Sequence, residues 1–240
     1  MKKTLLIITL FITGVCFGQT YQLAEEFYEN GLPKAIKTYK VSKGKIELVK
    51  AVSWHPNGQK REEGTYGDVG GRHGLALKDG LWTEWHSNGQ KKGEETYKDG
   101  EEEGNFTWWR ENGQKKEQET YKNGKRIKET TWYPNGQMSR QTTYKDGKRD
   151  GLFTSWHDNG QKKEEGTWKD GKQNGLWTEW YEDGQKSSEG TYKDDERGGL
   201  WTEWYENGQK KKEENYKDGK RISKDCWDED GNEKDSWECG

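Results

Sequence analysis

The chain of 240 residues is 35% charged and only 27% hydrophobic, with 41 basic against 44 acidic residues and a formal net charge of −3. That balance excludes a basic nucleic-acid footprint, and so low an apolar content would ordinarily mark a disordered chain. The 14 Trp and 12 Tyr argue for order instead, because each ring can bury ~150–250 Å² and the rings recur at fixed positions.

Residues 1–18 read as an export signal. Lys2 and Lys3 lead into an apolar run from Leu5 to Phe11, and small residues near Gly18 precede Gln19. The run is too short to cross a bilayer as a helix, so cleavage after Gly18 and an exported location (periplasm, outer surface or extracellular space) are expected. Thr13-Gly14-Val15 is a poor lipobox, which argues against a lipid anchor on Cys16.

Residues 19–50 hold one degenerate unit, Phe27-Tyr28-Glu29-Asn30-Gly31, and read as a capping repeat. Residues 51–220 form the array proper, interrupted by an insertion within 67–80. Residues 221–240 close it and carry the remaining cysteines, Cys226 and Cys239, whose even number in an exported chain suggests a disulfide clasp on the last edge.

The array is organised by the glycine of an Asn-Gly or Asp-Gly pair, seen at Gly58, Gly89, Gly113, Gly136, Gly160, Gly184 and Gly208 and recurring about every 24 residues. Such a period means a repeat architecture. Four residues before the glycines stands a column of Trp54, Trp85, Trp109, Trp132, Trp156, Trp180, Trp204 and Trp227. Eight residues after them stands a second, Tyr66, Tyr97, Tyr121, Tyr144, Trp168, Tyr192 and Tyr216. A second turn signal, as in Asp99-Gly100 or Asp170-Gly171, suits a two-residue hairpin turn. Each repeat is therefore two short strands, and the fold expected is all-β: an elongated antiparallel meander of eight to nine stacked hairpins. Pro56 and Pro134 mark the Asn-Gly turn as a three-residue loop with glycine in a bulge. The extra glycine at Gly104, Gly151, Gly175 and Gly199 marks a second bulge. With these counted, the two aromatic columns are expected on one face.

The opposite face would then carry Trp82, Phe106, Phe153, Trp177 and Trp201, with His86, His157, Tyr181 and Tyr205 beside them. If that face is the less covered one, Trp82, His86, Phe106, Phe153, Trp177, Tyr181, Trp201 and Tyr205 are the candidate binding residues, since contiguous exposed rings make an interaction patch. The competing reading is that both ladders simply replace an aliphatic core. Lysines followed by glutamates, as in Lys162-Lys163-Glu164-Glu165, are expected to face opposite charges across the ladder.

No catalytic constellation stands out: the same acids recur in every repeat, whereas an enzyme needs one singular site. His55 and His86 are equivalent positions two strands apart, ~9.6 Å or more, too far to share a zinc ion. The run Asp228-Glu-Asp-Gly-Asn-Glu233 fails as a calcium loop at both ends. No enzyme activity, cofactor or metal is expected.

The stretch Gly-Leu-Trp-Thr-Glu-Trp-Tyr-Glu-Asn-Gly-Gln-Lys, ending in Thr-Tyr-Lys-Asp in sister copies, closely resembles the variant MORN repeat across about residues 50–235. The resemblance implies stacked β-hairpins without catalysis of their own, and many bacterial chains of this kind are labelled YwqK-like toxin–antitoxin antitoxins. The function expected is an exported bacterial scaffold binding a protein partner. The alternatives are an antitoxin or immunity protein and a glycan- or lipid-binding protein of the cell envelope.

Overall fold

The computed structural model describes residues 20–42, 45–67 and 76–235, and among them there is no helix. The signal region with Cys16, residues 68–75 of the insertion, and Cys239 lie outside the described residues. The chain forms two compact units, residues 1–114 with 121–124 and residues 115–120 with 125–240. The first unit holds β1 (Thr20–Phe27), β2 (Pro33–Ser42), β3 (Lys45–Trp54), β4 (Lys60–Tyr66), β5 (Lys78–Trp85), β6 (Lys91–Lys98), β7 (Glu101–Glu102) and β8 (Gly104–Trp109). Most of β9 (Lys115–Lys122) belongs to the second, with β10 (Lys125–Trp132), β11 (Met138–Lys145), β12 (Lys148–Trp156), β13 (Lys162–Lys169), β14 (Lys172–Trp180), β15 (Lys186–Lys193), β16 (Glu196–Trp204), β17 (Lys210–Lys217) and β18 (Lys220–Cys226). Within each unit, strands adjacent in sequence pair antiparallel, except that β7 and β8 both pair with β6.

The turns follow from residue type. At the Asp-Gly turns both central residues are left-handed, as at Asp170 (φ 53°) and Gly171 (φ 89°), the geometry of a type I′ hairpin. Asp194-Asp195 makes the same turn without glycine, at φ 54° and 72°, and Asp195 Oδ1 accepts a hydrogen bond from the Gln173 amide at 2.7 Å. The Asn-Gly loops have the expected three residues: the His86 amide donates to Gln90 O at 2.8 Å, and Gly89, at φ 85°, donates to His86 O at 2.9 Å.

The face assignment is different from the one expected. The ladder slips by one residue just after the loop: Trp85 pairs with Lys91, but Glu84 pairs with Gly93. The same slip falls at Trp54, Trp132, Trp156, Trp180 and Trp204. An extra residue reverses the alternation of side chains along the return strand. Tyr97 therefore stands opposite Gly80, two residues from Trp82, and shares the face of Trp82 instead of that of Trp85. The left-handed glycines mark a further irregularity, a two-residue slip as between Gly166/Trp177 and Trp168/Gln173. An even slip leaves the faces unchanged.

On this ring face the two sets of aromatics interleave within each unit. Tyr97 and Tyr121 flank Phe106, with centroids at 5.2 and 4.8 Å. In the second unit Phe153 stacks on Trp177 at 5.7 Å, and Tyr192 bridges Trp177 and Trp201 edge-on at 6.0 and 4.8 Å. Each tryptophan lies over a glycine of the preceding strand. A Cβ at Gly64, Gly166 or Gly190 would come within 1.9–2.1 Å of the ring of Trp82, Trp177 or Trp201. Where the ring is the smaller Phe153, the facing residue is Thr142. Ring size and the space beneath it thus vary together along the array.

Candidate functional site

The rings proposed from the sequence as a docking patch are the core. Trp82, Phe106, Phe153, Trp177 and Trp201 are only 2–7% exposed. The Trp177 indole donates to Glu164 Oε1 at 2.8 Å, and those of Trp82 and Trp201 donate to Thr65 O and Thr191 O. Cations lie over the outer surface: Lys78 is 4.2 Å from the Trp82 ring, and the Arg197 guanidinium is 4.2 Å from that of Trp201. A glycan or lipid stacking on these rings would have to displace that cover.

His86, Tyr181 and Tyr205 belong to a different device. The histidine or tyrosine that follows a column tryptophan reaches the corresponding tryptophan carbonyl of the next repeat: His86 Nε2 to Trp109 O at 3.0 Å, Tyr181 OH to Trp204 O at 2.6 Å, Tyr205 OH to Trp227 O at 2.9 Å. Because a carbonyl only accepts, Nε2 carries the proton in His86, as in His55 and His157, which make the same contact. These side chains are struts between repeats. Tyr181→Phe should therefore lower stability by about 1 kcal/mol and leave binding unchanged, as thermal melts beside a binding assay would show.

The column Trp54, Trp85, Trp109, Trp132, Trp156, Trp180, Trp204 and Trp227 occupies the other face, half-buried. Lysines slot between its members: Lys60, Lys91, Lys162 and Lys210 lie 5.5–5.9 Å from Trp85, Trp109, Trp180 and Trp227. Each of these also pairs with a glutamate three residues on, such as Lys162 with Glu165 at 2.7 Å and Lys210 with Glu213 at 2.5 Å. On the ring face the expected alternation of charge fails in places, since Glu62 stands opposite Glu84 and Glu164 opposite Glu179. Burial, and then Glu164, push the Glu179 carboxyl up from its ordinary value.

Three carboxylates on the ring face are buried among the described residues, Glu119, which pairs with Arg126, Glu129 and Glu214. Glu129 occupies an aromatic position and is held by Arg140, Arg126 (3.2 Å) and the Tyr144 hydroxyl (2.7 Å). Burial alone would raise its pKa, but the Tyr144 hydroxyl and Arg140 outweigh it and bring the carboxyl below the ordinary range. Glu214, opposite Trp201, is held below its ordinary value against burial by Arg221 (2.6 Å) and Tyr216 (2.9 Å).

A groove of about 570 Å³ is lined by residues that include His55, Arg61, Glu62, Glu84, His86 and Lys92. Its histidines serve as struts, and Lys92 is 2.9 Å from Glu84. Among the described residues, no three His, Cys, Asp or Glu side chains converge as metal ligands. Cys226 is buried and disulfide-bonded; Cys239, its expected partner, lies outside the described residues. After β18 the chain turns back, with Trp227 bridged to Glu233 and the Lys234 amide donating to Cys226 O at 2.8 Å.

Among the exposed apolar residues left out of the expected site are four leucines. Leu81, Leu152, Leu176 and Leu200, 50–57% exposed, each precede a buried ring by one residue and so stand on the face opposite to it. That alternation, Gly-Leu-Trp or Gly-Leu-Phe, was the available signal.

Repeated hairpins with one ring-filled face and one leucine-bearing face define an all-β repeat protein. The MORN repeat variant matches seven times, at residues 49–68, 78–99, 102–123, 127–146, 149–170, 173–194 and 197–218. The chain belongs to this MORN-variant repeat family. No curated protein matches it. Among solved structures it is similar to a Bacteroides fragilis protein of unknown function, at 10% identity and a TM-score of 0.20, with 74% of this chain and 94% of the other covered. A TcdB2–TccC3–Cdc42 complex matches at 10% identity and a TM-score of 0.16, over 86% of this chain and 16% of the other.

Proposed function

We propose that this MORN-variant chain acts after export as a non-catalytic scaffold and seats a protein partner on its leucine-bearing face. The observation that carries this reading is the row of half-exposed leucines at one register position: Leu152, Leu176 and Leu200 stand opposite Thr167, Thr191 and Asn215 in successive repeats. A folded chain leaves an ordered apolar row in water at a cost, and such rows serve as interaction surfaces. The ring face supports the same assignment by exclusion, because its aromatics are used up as core. An antitoxin role would be one instance of such binding, and co-expression with the product of a neighbouring toxic gene tests it.

The test is affinity capture from envelope extract with the chain from residue 19 onward, beside a variant with Leu176→Glu and Leu200→Glu. A protein retained by the parent should be lost from the variant by tenfold or more, while both give the same circular dichroism. Equal retention by the two would place binding elsewhere.

A further inference from the structure

The leucine row lies between two rows of opposite charge. Along β13, β15 and β17 the residues on the leucine face run Glu165, Thr167, Lys169; Glu189, Thr191, Lys193; and Glu213, Asn215, Lys217, alternating in unbroken strands. Thr167, Thr191 and Asn215 are level with Leu152, Leu176 and Leu200. A strand rises ~3.4 Å per residue. The glutamates thus stand ~7 Å to one side of the apolar row and these lysines ~7 Å to the other. Lys169, Lys193 and Lys217 are exposed and make no ion pair among the described residues. The glutamates each take a lysine from the side away from the leucines.

A surface with an apolar axis, a negative row on one side and a positive row on the other complements itself under one particular rotation. A two-fold axis along the leucine row lays leucine on leucine and reverses the two sides, so each glutamate row meets the lysine row of the other copy. A two-fold axis across the row would instead place glutamate on glutamate and lysine on lysine. Spacing adds to the match: both copies carry the same repeat, so a register set at one leucine holds at the next. Closed, self-complementary contacts of this kind are how like chains pair.

We infer that the partner seated on the leucine face is a second copy of this chain, the two copies running in the same direction along the row. This rests on the proposed role of that face and names its occupant. The patch spans six strands ~4.8 Å apart and is ~14 Å wide, so it would bury roughly 700–800 Å² in total, below the range of stable interfaces. The dimer is therefore weak and salt-sensitive, of the kind that forms where the protein is locally concentrated.

Sedimentation equilibrium of the chain from residue 19 onward, from about 5 to about 500 µM, reads this directly, since dissociation constants in the micromolar range fall inside that span. The expected result is a monomer–dimer equilibrium weakened several-fold between low and physiological salt. It should be abolished by Leu176→Glu with Leu200→Glu, and equally by Lys169→Glu, Lys193→Glu and Lys217→Glu together, with unchanged circular dichroism. Orientation is read by oxidative cross-linking of a variant carrying Leu152→Cys and Leu200→Cys. Links of 152 to 152 and 200 to 200 are expected. Links of 152 to 200 overturn the inference, as does a monomer at every concentration and salt or a dimer indifferent to the leucine variant. If the chain stays monomeric while an envelope protein is captured through Leu176 and Leu200, the scaffold role stands and the homotypic partner falls.

Discussion

Gly166→Thr should destabilise the second unit by about 3 kcal/mol, the upper part of the usual range for overpacking, and adding Trp177→Phe should restore most of the loss. The Cβ of any side chain at 166 would sit 1.9 Å from Trp177 Cε3, so the indole must leave its place against β13. It would then forfeit the hydrogen bond from its nitrogen to Glu164 and its stacking on Phe153. Trp177→Phe alone removes ring volume over an empty glycine and should cost about 1–2 kcal/mol. Together the two substitutions reproduce the pair already present at Thr142 and Phe153, where threonine is fully buried beneath the smaller ring. The double variant should therefore be more stable than Gly166→Thr alone. Urea denaturation of the four proteins measures the coupling directly. Simple additivity would show that the match of ring to glycine is incidental.

Glu129→Ala is expected to cost about 2 kcal/mol, whereas Glu129→Phe combined with Glu119→Thr should stay within about 1 kcal/mol of the parent. Removing one member of a buried ion pair leaves its partners uncompensated, typically at about 3–5 kcal/mol. Here Arg126 and Arg140 are 37% and 41% exposed and can turn to water, which lowers the figure. Replacing the carboxylates by the ring and threonine used elsewhere on the same face removes the desolvation cost together with the attraction, and such exchanges are often neutral. The pH dependence separates the two cases. The Glu129 carboxyl lies below its ordinary value of 4.5. Its stabilisation is thus complete above that value and is lost as pH falls through the lower folded value. Glu117 works the other way: burial, and then Glu119 and Glu129, raise its carboxyl, so acid relieves it. The parent should lose stability on acidification below about pH 4.5, and the double variant, lacking Glu129 and Glu119, the two carboxylates that raise Glu117, should show a flatter profile. An unchanged profile would mean the cluster contributes nothing through its charge.

Much of this architecture is written in the spacing of residues. Two-strand repeats, type I′ turns at Asp-Gly and three-residue loops at Asn-Gly follow from where glycine, asparagine, aspartate and proline stand, because those residues most readily tolerate or impose the backbone angles required. The glycine-marked irregularities were legible for the same reason: Gly104, Gly151, Gly175 and Gly199 are all left-handed. The bulge opposite the column tryptophan was not legible. It falls on Lys91-Lys92 or Lys162-Lys163, where no left-handed residue is needed and no glycine advertises it.

That single residue decided the candidate site. The sequence by itself determined the family, the turns and the presence of two aromatic ladders, because each depends on local backbone preference and on period. Only the tertiary structure decided which ladders share a face, since pairing register is a property of two strands and one unmarked extra residue inverts it. With the register known, Trp177 and Trp201 become core over Gly166 and Gly190, and Tyr181 and Tyr205 become struts. Leu176 and Leu200, one residue from the rings, are left as the surface offered to a partner.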